Sequence, residues 1–280
     1  MKWIGKISKS DLLMASAAFA WGFSYIFMKL GLASIAPLQL GFMRFAIAFP
    51  VLLLIFRKKV IPNRTELRYS LLLGLFIFAL TAFYNFGLKT TEASTAGFLA
   101  GTTVAMVPLI QGFLSRKMPE KKTLLCVLFA FGGIAVMSLT RSFSIAGGAW
   151  LCLGGAVSYA VQIVMTSRAL DQCRALTIAV WQLGFAALYC GISSFLFETV
   201  SYALPLLGWG AVLGLALLSS AYGYVAQTMA QKEVTPERIW FLYALEPVFC
   251  AILAFLFFHE IMSLREIIGA VLIVISIVLG

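Results

Sequence analysis

The stretch YALEPVFCAILAFLFFHE, from Tyr243 to Glu260, sets one carboxylate, Glu246, beside a proline in an otherwise apolar segment. A carboxylate is costly there only if the segment lies in lipid, so the solvent has to be settled first. Of the 280 residues, 62% are hydrophobic and 11% charged, with a mean hydropathy of +0.99. An average soluble domain is roughly half apolar and a quarter charged. The chain therefore reads as an integral membrane protein.

A helix crosses the hydrocarbon core with about 20 apolar residues. Ten runs have that character: 11–32, 37–56, 68–88, 93–115, 123–140, 145–167, 175–197, 205–229, 236–258 and 264–280. They are too long and too continuous for barrel strands, which would be about 10 residues of alternating character. The connections between them are short and leave no room for a soluble domain. The expected fold is an all-α membrane protein with ten transmembrane helices in one compact bundle.

The formal charge of +10 could suggest a nucleic-acid partner, but its distribution along the chain gives another cause. With the N-terminus on the cytoplasmic side, the inner ends of the runs hold sixteen of the 21 basic residues, whereas the outer ends hold Lys29, Lys89, Arg141 and Arg265. That asymmetry predicts cytoplasmic N- and C-termini in the cell's inner membrane. The remaining basic residue, Arg44, falls inside a run.

The opening MKWIGKISK followed by an apolar run imitates a secretory signal, but that segment recurs later in the chain, as a cleaved leader would not. The five cysteines, 126, 152, 173, 190 and 250, form no CxxC pair and no cluster with the lone His259, so no metal or cofactor is expected. The sequon at Asn63 sits in the most basic inner loop, where glycosylation is not expected.

The chain repeats itself. Trp21 matches Tyr159 and MRF (43–45) matches WQL (181–183) at a shift of 138. Pro108 matches Pro247 at 139, Glu120 matches Glu260 at 140, and KTTEAST matches AQKEVTP at 141. Each repeat, 1–140 and 141–280, holds five runs. An odd number inverts the second copy in the membrane, the plan of many secondary transporters, whose site lies between the copies.

YALEPVFCAILAFLFFHE, AFAWGFSYIFMKLGL, LKTTEASTAGFLAGTTVAMVPLI and the doubled five-span plan resemble the drug/metabolite transporter superfamily, in particular its EamA-type members, over essentially the whole chain. The most specific piece is Leu-Glu-Pro-Val followed, thirteen residues after the proline, by Glu260; the first copy has Val107 where the second has Glu246. The resemblance implies ten helices in two inverted repeats. It also implies a central cavity lined largely by the third, fourth, eighth and ninth helices, and export of small metabolites such as amino acids.

Features common to both copies are explained by the fold; features of one copy are free to serve a ligand. Pro108 and Pro247 should kink their helices, and the pairs Gly97/Gly101 and Gly210/Gly214 should mark close helix contacts. Glu246 and Arg44 belong to one copy only, Arg44 being matched by Gln182. A charge at mid-bilayer costs ~2.5–3.5 kcal/mol on insertion scales, so both should face the interior. Glu246 suits first a structural strut to the kink or to Arg44, and second a site for a coupling proton or a substrate ammonium group. The Arg44 fork suits a carboxylate, that of the substrate or of Glu246. Trp240 and Tyr243 share a helical face with Glu246, Trp181 neighbours Gln182, and Tyr84, Asn85 and Tyr222 lie at comparable depth. Trp21 with Tyr25 and Tyr159 with Gln162 are further candidates on the first and sixth runs. Lys29, near a helix end, is expected to snorkel to the interface.

The sequence contains no His-Glu-x-x-His, Gly-x-Ser-x-Gly or phosphate-loop motif, so neither an intramembrane enzyme nor a directly ATP-driven pump is expected. A scaffold would have no use for inverted halves. The expected activity is carriage of a small molecule, with a proton as the candidate coupling ion and lipid as the surrounding partner.

Overall fold

The computed structural model describes residues 9–114, 121–138, 147–233, 243 and 245–279, and among these the regular structure is helical. Helices α1 (Lys9–Leu32), α2 (Pro37–Phe56) and α3 (Arg64–Gly87) are the first three runs. The fourth run divides into α4 (Ala93–Gly101) and α5 (Thr103–Leu114). The fifth, sixth and seventh runs are α6 (Lys121–Ser138), α7 (Gly147–Leu170) and α8 (Ala175–Phe197). The eighth joins α9 (Leu206–Gly214), a π-helical stretch (Leu215–Gly223) and α10 (Tyr224–Gln231). Helices α11 (Leu245–Phe258) and α12 (Leu264–Leu279) complete the ten.

Seven of these segments, each of at least 20 residues, are long and apolar enough to cross a bilayer. Their outward surfaces expose large apolar side chains such as Leu54, Phe113, Phe197 and Leu206. On a soluble protein such a surface would aggregate; in lipid it is the expected one. The chain is an all-α, multi-pass membrane protein.

Hydrogen bonds gather the connections at two ends of the bundle. At one end, Arg174 Nε donates to Glu66 at 2.8 Å, the Trp181 indole donates to the Val60 carbonyl, and Ser10 bonds Glu233. At the other, Glu198 accepts from the backbone N–H groups of Leu38 and Gln39, and Lys29 meets Glu92 and Glu260. The first end holds most of the described basic residues, among them Arg57, Lys58, Lys59 and Arg174, and is called the basic end below. Helix α1 leaves the basic end and α7 runs towards it; α2 runs towards it and α8 leaves it. Corresponding helices thus run in opposite directions, as two inverted copies would. Packing partners exchange in the same way, α3 lying on α7 and α1 on the α9–α10 segment, while α2 meets α8, α4 meets α11 and α6 meets α12.

Two close approaches fix the core. A Cβ at Gly97 would stand 2.6 Å from Cys250 Sγ, so α4 and α11 touch backbone to side chain there. A Cβ at Gly223 would stand 2.7 Å from the Trp21 indole nitrogen, so that glycine admits the Trp21 ring. Gly214 similarly faces the Phe27 ring, but Gly210 faces open space and makes no close helix contact, contrary to the expectation from its spacing.

Candidate functional site

The π-helical stretch does the local work that creates the site. Its widened turn leaves the Ser219 carbonyl to accept from Trp21 Nε1 at 3.2 Å and turns Ser220 inward, where its hydroxyl accepts from Arg44 Nε at 2.8 Å. Such widened turns concentrate at functional positions. Trp21 is the hub of a ring cluster: it stacks on Tyr243 at 5.8 Å and meets Tyr159 and Tyr224 edge-on at 5.9 Å each.

Around this cluster lie two small cavities. The larger, about 40 Å³, has α1 on one side through Trp21, Ser24, Tyr25 and Met28. Its other walls are Arg44 of α2, Thr81 and Tyr84 of α3, and Tyr224 of α10. The smaller, about 10 Å³, lies against the junction of α4 and α5, where Thr102 turns its hydroxyl onto the Leu99 carbonyl and interrupts the helix. Tyr159 and Glu246 line both, so the two cavities meet there. Together they have room for a few waters.

Arg44 and Glu246 are both buried and both face the larger cavity, yet among the described residues no ion pair joins them. Glu246 accepts a hydrogen bond from the Tyr25 hydroxyl at 3.1 Å. A guanidinium and a carboxyl group therefore line one space with no ion pair between them. A planar cation suited to a carboxylate, an acid suited to an ammonium group and a set of aromatic rings would match a small zwitterion.

Of the residues singled out in the sequence, Trp21, Tyr25, Arg44, Tyr84, Tyr159 and Glu246 line the larger cavity, and Tyr243 lines the smaller. Asn85, Trp181, Gln182, Gln162 and Tyr222 line neither. Asn85, about 100° round α3 from Tyr84, donates to the Pro37 carbonyl at 2.8 Å and anchors the start of α2. Trp181 donates to Val60 O and packs on Phe49. Gln182 is buried in an amide cluster with Gln162. Tyr222 is 40% exposed on the outer surface, because the π-helical turn shifts the register and presents Tyr224 inward instead. Trp240 lies outside the described residues. The first and sixth runs contribute more to the cavities than the resemblance implied, and the tyrosine that sequence reasoning missed is Tyr224.

The sequence reading also left Lys29 aside. Its ammonium is shared at 2.8 Å by Glu92 and by Glu260, and Glu260 also accepts from the N–H groups of Ala93 and Ser94 and from the Ser94 hydroxyl. Burial pushes the Glu260 carboxyl up, but its side-chain contact with Glu92 and the Lys29 and Ser94 donors outweigh it and hold the group down at about 2.

The sequence pattern of the EamA-like transporter family matches the chain twice, over residues 8–139 and 146–279. The chain belongs to the EamA-like transporter family. It is thereby a member of the drug/metabolite transporter superfamily. Two "uncharacterized transporters" of Archaeoglobus fulgidus resemble this EamA-like protein: one is 29% identical over 95% of this chain and 94% of its own, the other 25% identical over 96% and 85%. The "uncharacterized transporter YoaV" of Bacillus subtilis is 26% identical over 95% and 94%. A solved crystal structure superposes with a TM-score of 0.72 over 96% of this chain and 95% of its own, at 19% identity, a likeness of fold. The two matches to this EamA-like transporter follow one another along the chain.

Proposed function

We propose that this transporter is a secondary carrier of small zwitterionic metabolites such as amino acids, working as an exporter by alternating access. Its two halves, 1–140 and 141–280, are inverted copies that rock about the site between them. The observation that carries the reading is the shared cavity of Arg44 and Glu246, a cation and an acid that line one space with no ion pair between them among the described residues. Arg44 takes the substrate carboxylate. Glu246 takes either the substrate ammonium group or a proton, so an inward proton gradient can drive the solute out. The excess of basic residues at the inner ends of the runs in the sequence favours a cytoplasmic basic end, with both termini there and the protein in the cell membrane.

The test is flux of radiolabelled amino acids in proteoliposomes, with and without a proton gradient. The reading expects counterflow of at least one amino acid, accelerated by an opposing pH gradient. Absence of flux for all of them, together with no rise in melting temperature when they are added to the purified protein, would remove this substrate class.

A further inference from the structure

The cavity around Arg44 has a matched but different counterpart in the second half. At the shift of 138 that relates the copies, Ser24, Met28 and Arg44 correspond to Gln162, Thr166 and Gln182. All three of those residues are fully buried, and they touch: Gln162 Nε2 donates to Thr166 Oγ1 at 3.0 Å and to Gln182 Oε1 at 3.2 Å. A fourth buried side chain, Gln227, reaches Gln162 Oε1 at 3.5 Å. Arg44 stands in the part of α2 away from the basic end, whereas Gln162 and Thr166 stand in the part of α7 that approaches it, Gln182 near the start of α8 and Gln227 near the close of α10. The amides thus lie on the basic-end side of Tyr159, the residue at which the two cavities meet.

A purely structural network would be expected to close on itself, because a buried polar atom without a partner is destabilising. This one does not close. Gln182 Nε2 and Gln227 Oε1 are buried and make no hydrogen bond among the described residues, which leaves an amide nitrogen with two N–H donors and an amide oxygen without partners there. These polar side chains come from three membrane-spanning segments, and the bonding capacity they keep in reserve is available to a polar solute.

We propose that Gln162, Gln182 and Gln227, with Thr166, form a second, uncharged subsite for the same solute, collapsed in this conformation and opened when the bundle opens at the basic end. The assignment rests on the carrier reading and deepens it. Where the first half offers a guanidinium, the second offers neutral amides. An amide N–H can bond a carboxylate but brings neither the positive charge nor the bidentate fork of a guanidinium, so the subsite holds the solute by hydrogen bonds alone and more loosely than Arg44 does.

The test uses the full chain with its native cysteines replaced, in right-side-out and inside-out membrane vesicles, and the impermeant thiol reagent methanethiosulfonate ethyltrimethylammonium. Gln182→Cys and the smaller change Thr166→Cys are each expected to react at least about tenfold faster from one membrane face, and Ser24→Cys faster from the other, since reaction follows access. Should Gln182→Cys disturb folding, Thr166→Cys carries the same reading. If both are inert from either face, or react from the same face as Ser24→Cys, the subsite does not exist. These outcomes do not depend on transport, so they separate from a failure of the carrier reading, which appears as absent amino-acid flux. Where flux is found, Gln182→Leu should raise the KM at the basic-end face about fivefold or more and leave the KM at the other face unchanged; equal effects at both faces would assign Gln182 to packing.

Discussion

Lys29 and Glu260, which are 231 positions apart in the chain, join first-half and second-half helices by an ion pair of 2.8 Å. The same carboxylate covers the exposed amides at the start of α4, where a helix end favours negative charge. Because the folded-state pKa is depressed to about 2, the stability that Glu260 contributes is fully present above its unfolded value, near 4.3. That contribution declines as pH falls from there through about 2. The melting temperature in detergent should therefore show no loss attributable to this group between pH 7 and pH 5. Glu260→Gln should lower it at pH 7, by an amount that shrinks at pH 3.

Removing the cation of the cavity should be felt in transport rather than in folding. Arg44→Ala is expected to reduce flux of a carboxylate-bearing substrate by about tenfold or more, equivalent to ~1.4 kcal/mol, with Arg44→Lys intermediate because a point charge cannot reproduce the planar fork. Proteoliposome flux measured beside a melting curve separates the two effects. Unchanged flux in Arg44→Ala would remove the arginine from the site.

Glu246→Gln keeps the volume and the Tyr25 hydrogen bond but abolishes the charge. Flux driven by a pH gradient should fall at least about tenfold, and the rate should lose its dependence on pH. A variant with wild-type flux and wild-type pH dependence would reduce Glu246 to a structural strut.

Gly223→Ala tests the seat of the Trp21 ring. The added methyl would stand 2.7 Å from the indole nitrogen, so Trp21 must shift and its bond to Ser219 must break. A destabilisation of about 1–3 kcal/mol is expected from overpacking of this kind, read as a lower melting temperature with a red-shifted tryptophan emission.

Arg174→Ala should destabilise less than the geometry of its ion pair suggests. Glu66, 1% exposed, would keep the Asn63 and Arg174 backbone N–H groups, while the arginine side chain is 55% exposed. A loss of about 1 kcal/mol is expected for a pair half open to solvent, measured by denaturation beside the double variant with Glu66→Gln.

The apolar runs were legible because lipid demands them, and each of the ten contains described helix. Arg44 and Glu246 were legible because charge inside such a run has few tolerable places to go. What the sequence concealed depends on register and on contacts between distant ends. The π-helical turn exchanges Tyr222 for Tyr224, a shift that a period of 3.6 cannot foresee. Asn85 follows Tyr84 in sequence yet faces another helix. Lys29 stood near a helix end, where snorkelling is the ordinary expectation, and its two acids come from connections far along the chain.

The acids at helix starts carry a consequence for how the chain is assembled. Glu198 and Glu260, from the second half, cover the opening amides of α2 and α4 in the first, while Glu66 returns the service to the residue that opens α8. A half produced alone would leave those amides to water, and two halves produced as separate polypeptides would have reason to find each other in the bilayer.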